Sequence, residues 1–444
     1  MKGEKMDHHT HRKPEHGKLI FAENEYYDFN NVYSGLNDNV LVVGGSGTGK
    51  TRGVVRPNIL QAEGSYVVCD PKGNLYDLYH DYLGDKGYRV ERLDFVQSGR
   101  STVKYNFFQY IRSQTDILKV VHLLCSSTGS SVKDPFWDQS AQIILEGIVS
   151  LLIDFRPEGY RNFGMAMDLL RKGQRTEGGR CEDGSKLDYI FQSVTKGAEN
   201  SFAARCYQSV AVNPARTWNC VMSTVLAKLA AYDTDEIRSF LSADTLDLPT
   251  MGSQKTAIFV IVSDTDRSMD SLVNVFFTQA MQELCRVADR QPQNRLEIPV
   301  RFILDDFATN VLIDDFPRMI SSIRSRGISA MILLQAEAQL RSGYHEDAAT
   351  IISNCDSYIY LGGNDIETAR AVGERCDQSM LDVLNMPVRT CWVFRRGQKA
   401  RRSSVFDLDE FEKQCRRDVE RQKETNKQID FYKEREAEEW NLVS

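Results

Sequence analysis

Eight consecutive residues, Gly44, Gly45, Ser46, Gly47, Thr48, Gly49, Lys50 and Thr51, have the types and spacing needed to wrap a chain of phosphates. They read G-x-x-x-x-G-K-T, and four apolar residues, Val40 to Val43, lead into them. A buried strand delivers the chain to such a loop, and glycines let backbone N–H groups curl inward at phosphate oxygens. Lys50 then reaches the β- and γ-phosphates, the Thr51 hydroxyl holds Mg²⁺, and Arg52 completes the candidate nucleotide-binding set. A turn that merely happened to be glycine-rich would lack the strand, the spacing, the lysine and the threonine together. The motif predicts that the chain binds a nucleoside triphosphate with Mg²⁺.

Hydrolysis needs further groups. The usual second element is an apolar strand that ends in a carboxylate on the metal side, followed by an acid that activates water. Val300 to Asp306 fits, with Asp305 as the metal-side carboxylate and Asp306 as the candidate base. The other reading of this acid pair is a cap on the turn that follows the strand. Asp306 is one methylene shorter than the glutamate expected there. Turnover is therefore expected to be slow unless the backbone moves closer or another group assists. Gln335, at the end of an apolar run closing at Leu334, could report the γ-phosphate through its amide, or simply end a strand. Arg324 and Arg326 close a predicted helix, Asp314–Ser325. They could reach a phosphate held by a neighbouring subunit, or be solvated cations at a helix C-terminus.

Short apolar runs alternate with longer helical periodicities, the pattern of a parallel sheet covered by helices. Predicted strands are Val40–Val43, Ser65–Cys69, Tyr88–Leu93, Thr256–Val262, Val300–Leu304, Ala330–Leu334 and Ser357–Leu361. Between about Thr115 and Phe240 only helical patterns occur, at Trp137–Ile153, Met165–Arg171, Lys186–Ser193 and Trp218–Ala231. The expected organisation is a polar, partly disordered leader over 1–30 and a nucleotide-binding domain over 31–114 and 241–405. An all-α insertion over 115–240 interrupts that domain, and a charged, exposed helical tail with a frayed end covers 406–444. The glycine-rich loop 172–185 is expected to be a mobile tip of the insertion.

Composition removes several classes. With 444 residues, 41% hydrophobic and 26% charged, the chain can bury a large core. Its ten cysteines form no C-x-x-C pair, which argues for reduced thiols in a cytosolic setting rather than a disulfide frame or zinc site. His8, His9 and His11 have no cysteine or carboxylate at ligand spacing. The first eighteen residues are too polar for a secretory signal, and the most apolar windows are too short for a membrane span. A net charge of −7 does not suit a protein that coats nucleic acid, so any polynucleotide contact needs a local basic surface.

Asp70, Pro71, Lys72 and Gly73 resemble the D-P-K-G signature that follows the second strand in coupling proteins of type IV secretion and conjugation systems, the TraG-like group. Four further regions are similar to that family and stand in its order: Arg56 to Leu60, Asp134 to Trp137, Leu304 to Ala308 (L-D-D-F-A against L-D-E-F-A), and Arg324 to Ile328 with Leu334 to Leu340. The likeness runs from about Asn39 to Lys399. It implies a RecA-like P-loop NTPase, α/β with a mostly parallel sheet and a large all-α insertion. It also implies an ATPase motor, acting as a homo-hexamer, that brings a relaxase with single-stranded DNA to a type IV secretion channel. By position, Asp70 and Lys72 would lie beside the nucleotide. Family members usually begin with membrane-spanning helices and this sequence shows none. The expected location is therefore cytoplasmic or peripheral at the inner face of the membrane, with a membrane-anchored partner as one means of attachment.

Arg389, Arg395, Arg396, Lys399, Arg401 and Arg402 form a basic stretch with Trp392 and Phe394 between them. Two readings fit: a strand–turn–strand that pairs with phosphates and stacks on bases, or an edge hairpin whose cations prevent aggregation. Two other functions stay open at this point. One is an FtsK/HerA-like DNA pump outside conjugation. The other is a nucleotide-gated adaptor, poor in hydrolysis, that recruits protein cargo.

Overall fold

The computed structural model describes residues 17–29, 34–126, 135–176, 184–309 and 311–443. The histidine cluster near the N-terminus, Asp134, and the middle of the glycine-rich loop lie outside them. The strands, in chain order, are β1 (Lys18–Ala22), β2 (Glu25–Asp28), β3 (Val40–Val43), β4 (Ser65–Asp70), β5 (Arg89–Asp94), β6 (Thr256–Ile261), β7 (Val300–Leu304), β8 (Ile328–Leu334), β9 (Ser357–Tyr360), β10 (Thr390–Arg395) and β11 (Arg401–Ser404). Nine of them form one sheet in the order β11-β10-β9-β3-β8-β7-β4-β6-β5. From β9 to β5 every neighbouring pair is parallel, and β9–β10–β11 closes one edge with antiparallel pairing.

The continuous apolar runs follow from burial on both faces. Every residue of β3, β4, β6, β7, β8 and β9 is buried. Leu41 and Val43 point to a layer shared with Phe95, Leu145 and Phe276. Val40 and Val42 point to the opposite layer, with Phe21, Ile59, Tyr79 and Leu408. Between β5 and β6 the described residues form seven α-helices, with short 3₁₀ turns and no strand: Gln114–Cys125, Pro135–Phe155, Phe163–Leu170, Lys186–Val194, Phe202–Ala211, Ala215–Leu229 and Asp235–Phe240. Their core is continuous with the first face of the sheet.

Three expectations are corrected. Residues 18–28, assigned to the leader, form the β1–β2 ribbon, with Leu19 to Ala22 buried. The reason lies far along the chain. The fully buried Asn58 accepts a hydrogen bond from Ile20 N at 3.1 Å and donates to Ile20 O at 2.7 Å, standing in for a neighbouring strand. The predicted helix Asp314–Ser325 is broken into Phe316–Ile320 and a 3₁₀ turn, Ile323–Arg326. Asp315 has a left-handed backbone and Pro317 sits at the start, which fixes the later beginning.

The C-terminal helix, Leu408–Val443, is not exposed throughout: Leu408, Cys415 and Val419 pack into the second core layer. The basic hairpin is also held from within. Trp392 and Phe394 lean on one core layer, and Cys391 and Val393 are buried in the other. Arg395 stacks on Tyr27 at 3.9 Å, Arg396 pairs with Asp356 at 2.7 Å, and Arg401 pairs with Glu25 at 3.3 Å. These contacts fit the edge-hairpin reading.

Asn58→Ala strands the peptide N–H and C=O of buried Ile20, so it is expected to cost about 2–3 kcal/mol. Urea unfolding followed by intrinsic fluorescence measures this. A loss below ~1 kcal/mol would mean that Asn58 does not anchor the ribbon.

Candidate nucleotide site

All strands from β9 to β5 run the same way, so their C-terminal ends meet at one edge of the sheet, where ligands of open α/β folds collect. The phosphate-loop sequence leaves β3 there. Its entry is pinned by Gly44 N to Leu334 O at 3.0 Å and Gly45 N to Gly362 O at 2.9 Å. A Cβ on Gly44 would come within 2.6 Å of Thr48 Oγ1 and 2.9 Å of Leu361 Cβ, and Gly49 has φ +93°, so both positions require glycine. The loop passes directly into a helical turn, Thr51–Val55, continued by the helix Arg56–Leu60.

The Lys50 ammonium lies inside the loop, donating to Gly44 O at 2.5 Å and Gly45 O at 3.2 Å. Burial pulls its pKa down, while Asp306 and Asp305 act against that. Thr51 Oγ1 donates to Asp305 Oδ2 at 2.9 Å across the width of β8. Burial raises the pKa of Asp305, and its neighbour Asp306 adds to the rise. The hydrogen bond from Thr51 and the charge of Lys50 oppose it. Among the described residues, no three His, Cys, Asp or Glu side chains cluster as an all-protein metal cage. One hydroxyl and one carboxylate make the sparse, hard-oxygen set that suits Mg²⁺, which keeps waters and substrate oxygens as its other ligands.

A cleft of about 630 Å³ opens beside the loop, lined by Ser46, Gly47, Lys50, Thr51 and Arg52, and by Asp70, Lys72, Asp305, Asp306 and Gln335. Sequence-predicted residues from four different strand ends thus come together. Asp306 has φ +51°, an uncommon left-handed turn for a non-glycine residue. Gln335 Nε2 stands 3.3 Å from its Oδ1. Both features bear on the short side chain: the turn re-aims it, and the amide holds it. Asp70 is in the cleft but has a structural task as well. Its Oδ2 accepts from Leu75 N at 2.8 Å and Tyr76 N at 3.0 Å, capping the helix Asn74–Asp85. Arg324 and Arg326 precede β8 and so lie at the other edge of the sheet, outside this chain's own cleft. Arg326 forks onto Asp289 at 2.7 and 3.1 Å.

Sequence reasoning gave no role to Arg56, Asn74, Asp264 or Thr309, which also line the cleft. Arg52 and Arg56 pair with Asp409 at 2.6 Å and Glu412 at 2.9 Å on the C-terminal helix. Their i, i+4 spacing puts them on one face, a signal that something acidic lies opposite, but not where in the chain it comes from.

A family model described as "Type IV secretory system Conjugative DNA transfer" matches residues 4–381. The chain belongs to this family. Among curated relatives it is similar to protein VirD4 of Rhizobium radiobacter, 23% identical over 356 residues, covering 77% of this chain and 49% of the relative. Protein VirD4 of Rhizobium rhizogenes is 22% identical over 358 residues, covering 78% and 50%. The chain thus spans about half the length of the curated relatives it matches.

Among solved structures, the plasmid coupling protein TrwB with the ATP analogue ADPNP aligns with TM-score 0.61 at 13% identity, over 89% of this chain and 90% of that one. TrwB with ADP and Mg²⁺ aligns with TM-score 0.58 at 14% identity, over 83% and 85%. VirB4 of Thermoanaerobacter pseudethanolicus aligns with TM-score 0.54 at 10% identity, over 90% and 98%. The fold of this family member is that of a RecA-like P-loop NTPase. No described helix is long and apolar enough to cross a membrane.

Lys50→Ala is expected to weaken Mg-ATP binding at least about tenfold by removing a charge-assisted contact to phosphate. Titration with a fluorescent ATP analogue reads this directly, and undiminished affinity would remove the loop from the site.

Proposed function

We propose that the chain is an ATP-driven coupling protein of conjugation. On this reading it recruits a relaxase with single-stranded DNA and passes it to a type IV secretion channel, acting as a ring of identical subunits. The observation that carries the enzymatic half is the 2.9 Å apposition of Thr51 and Asp305 beside Lys50, at the edge where Gln335 and Asp306 also end. Family membership and the coupling-protein neighbours support the conjugative half.

In this proposal Lys50 exchanges the Gly44 and Gly45 carbonyls for the β- and γ-phosphate oxygens of ATP, whose negative charge opposes the burial that lowers its pKa. Thr51 and Asp305 would hold Mg²⁺, which supplies charge neutralisation to the departing phosphate. Asp306 takes the proton of the attacking water, and the Gln335 amide orients that water. Arg324 and Arg326, remote from their own cleft, act on the cleft of the next subunit in the ring. That geometry makes each active site depend on two copies of the chain.

ATP turnover per subunit, measured with single-stranded DNA present, is expected to climb with protein concentration. Strictly constant specific activity over a hundredfold dilution would argue against shared sites. In the assembled state Arg324→Ala or Arg326→Ala is expected to slow hydrolysis by about 10³-fold, the usual worth of an arginine finger. Hydrolysis at the full rate in both variants would exclude these arginines from the reaction.

A further inference from the structure

We infer that Gln339 is a positioning residue for hydrolysis, holding Asp306 and Gln335 in register through Thr309. The inference rests on the reading of those two as the water-handling pair. The geometry is a closed ring of hydrogen bonds between the ends of β7 and β8. Gln335 Nε2 donates to Asp306 Oδ1 at 3.3 Å. The peptide N–H of Gln335 donates to Gln339 Oε1 at 2.7 Å. Gln339 Nε2 donates to Thr309 Oγ1 at 3.0 Å. Thr309 N closes the circuit on Asp306 O at 3.2 Å. Both ends of the Gln339 amide are engaged, one on each strand's tip.

The turn after β7 needs such a tether. Asp306 and Ala308 both have left-handed backbones, at φ +51° and +62°, a conformation that costs energy in any residue but glycine. Thr309 lies at the end of this turn, and Arg267 also reaches its carbonyl, at 3.2 Å. Gln339 comes from a firmer element. It sits in the first turn of the helix Ala338–Tyr344, whose Leu340 is fully buried. Just before that helix, buried Glu337 accepts from Tyr358 OH and Arg375 Nη1, both at 2.8 Å. A strained turn carrying the candidate base is thus braced against a fixed helix. A long amide side chain loses rotamer freedom when both its ends are tied, and holding a reacting group in place is what such ordering can supply.

The test is a mutant cycle on the full chain, in its assembled state with single-stranded DNA. Gln339→Ala is expected to lower kcat by about ten- to a hundredfold, as displaced catalytic groups do. KM for ATP and affinity for ADP with Mg²⁺ should stay within about twofold, because the residue does not touch the phosphate loop. In a Thr309→Val background the same change should cost nothing further, since the brace from Gln339 to the Asp306 turn runs through the Thr309 hydroxyl. Gln339→Glu, which can accept from both the Gln335 N–H and the Thr309 hydroxyl, should recover part of the rate. A kcat for Gln339→Ala equal to wild type while Gln335→Ala is slow overturns the inference and leaves the hydrolysis reading intact. Losses that multiply in the double variant also overturn it, because they mark an independent, merely structural effect. Wild-type turnover in Gln335→Ala and Asp305→Asn would overturn the hydrolysis reading itself, and the inference with it.

Discussion

Parallel alignment of β3, β8, β7 and β4 is the constraint on which everything at the site depends. Because these neighbours run the same way, the phosphate loop, Gln335, Asp305 and Asp70 all emerge at one edge although they are spread over nearly 300 positions of sequence. The hydrogen bond from Thr51 to Asp305 then ties two strands together over the tip of a third. Few local sequence changes could reproduce that convergence. A one-residue slip in any of these strands would turn its terminal side chain to the opposite face of the sheet.

The same double burial made the sheet readable. A strand covered on both faces is mostly apolar, and short runs such as Val40–Val43 and Val300–Leu304, the latter interrupted by the buried Arg301, show as such between polar segments. The P-loop was legible because its chemistry fixes residue type, spacing and preceding element at once. Asp305 was legible because it ends an apolar strand.

What stayed hidden depends on partners distant in sequence. The ribbon at Lys18–Ala22 reads as part of a polar leader until Asn58 is known to bond with Ile20. The capping role of Asp70 is a matter of backbone geometry five and six residues later. The C-terminal helix looks wholly solvated because its anchoring relies on Leu408, Cys415 and Val419, too sparse to stand out among the charges. The basic hairpin left two readings open in the sequence, and what separates them is again distant in the chain: Asp356 and Glu25 answer two of its arginines from within.

The C-terminal helix makes the nucleotide-loop helix the foot of a long arm. Arg52 and Arg56 grip its first turns, and by residues 421–429 its side chains are exposed. With 36 residues it is about 54 Å long at the usual helical rise. Its core packing ends at Val419, so about 36 Å of it projects beyond, and a tilt of one degree there sweeps the far end through about 0.6 Å.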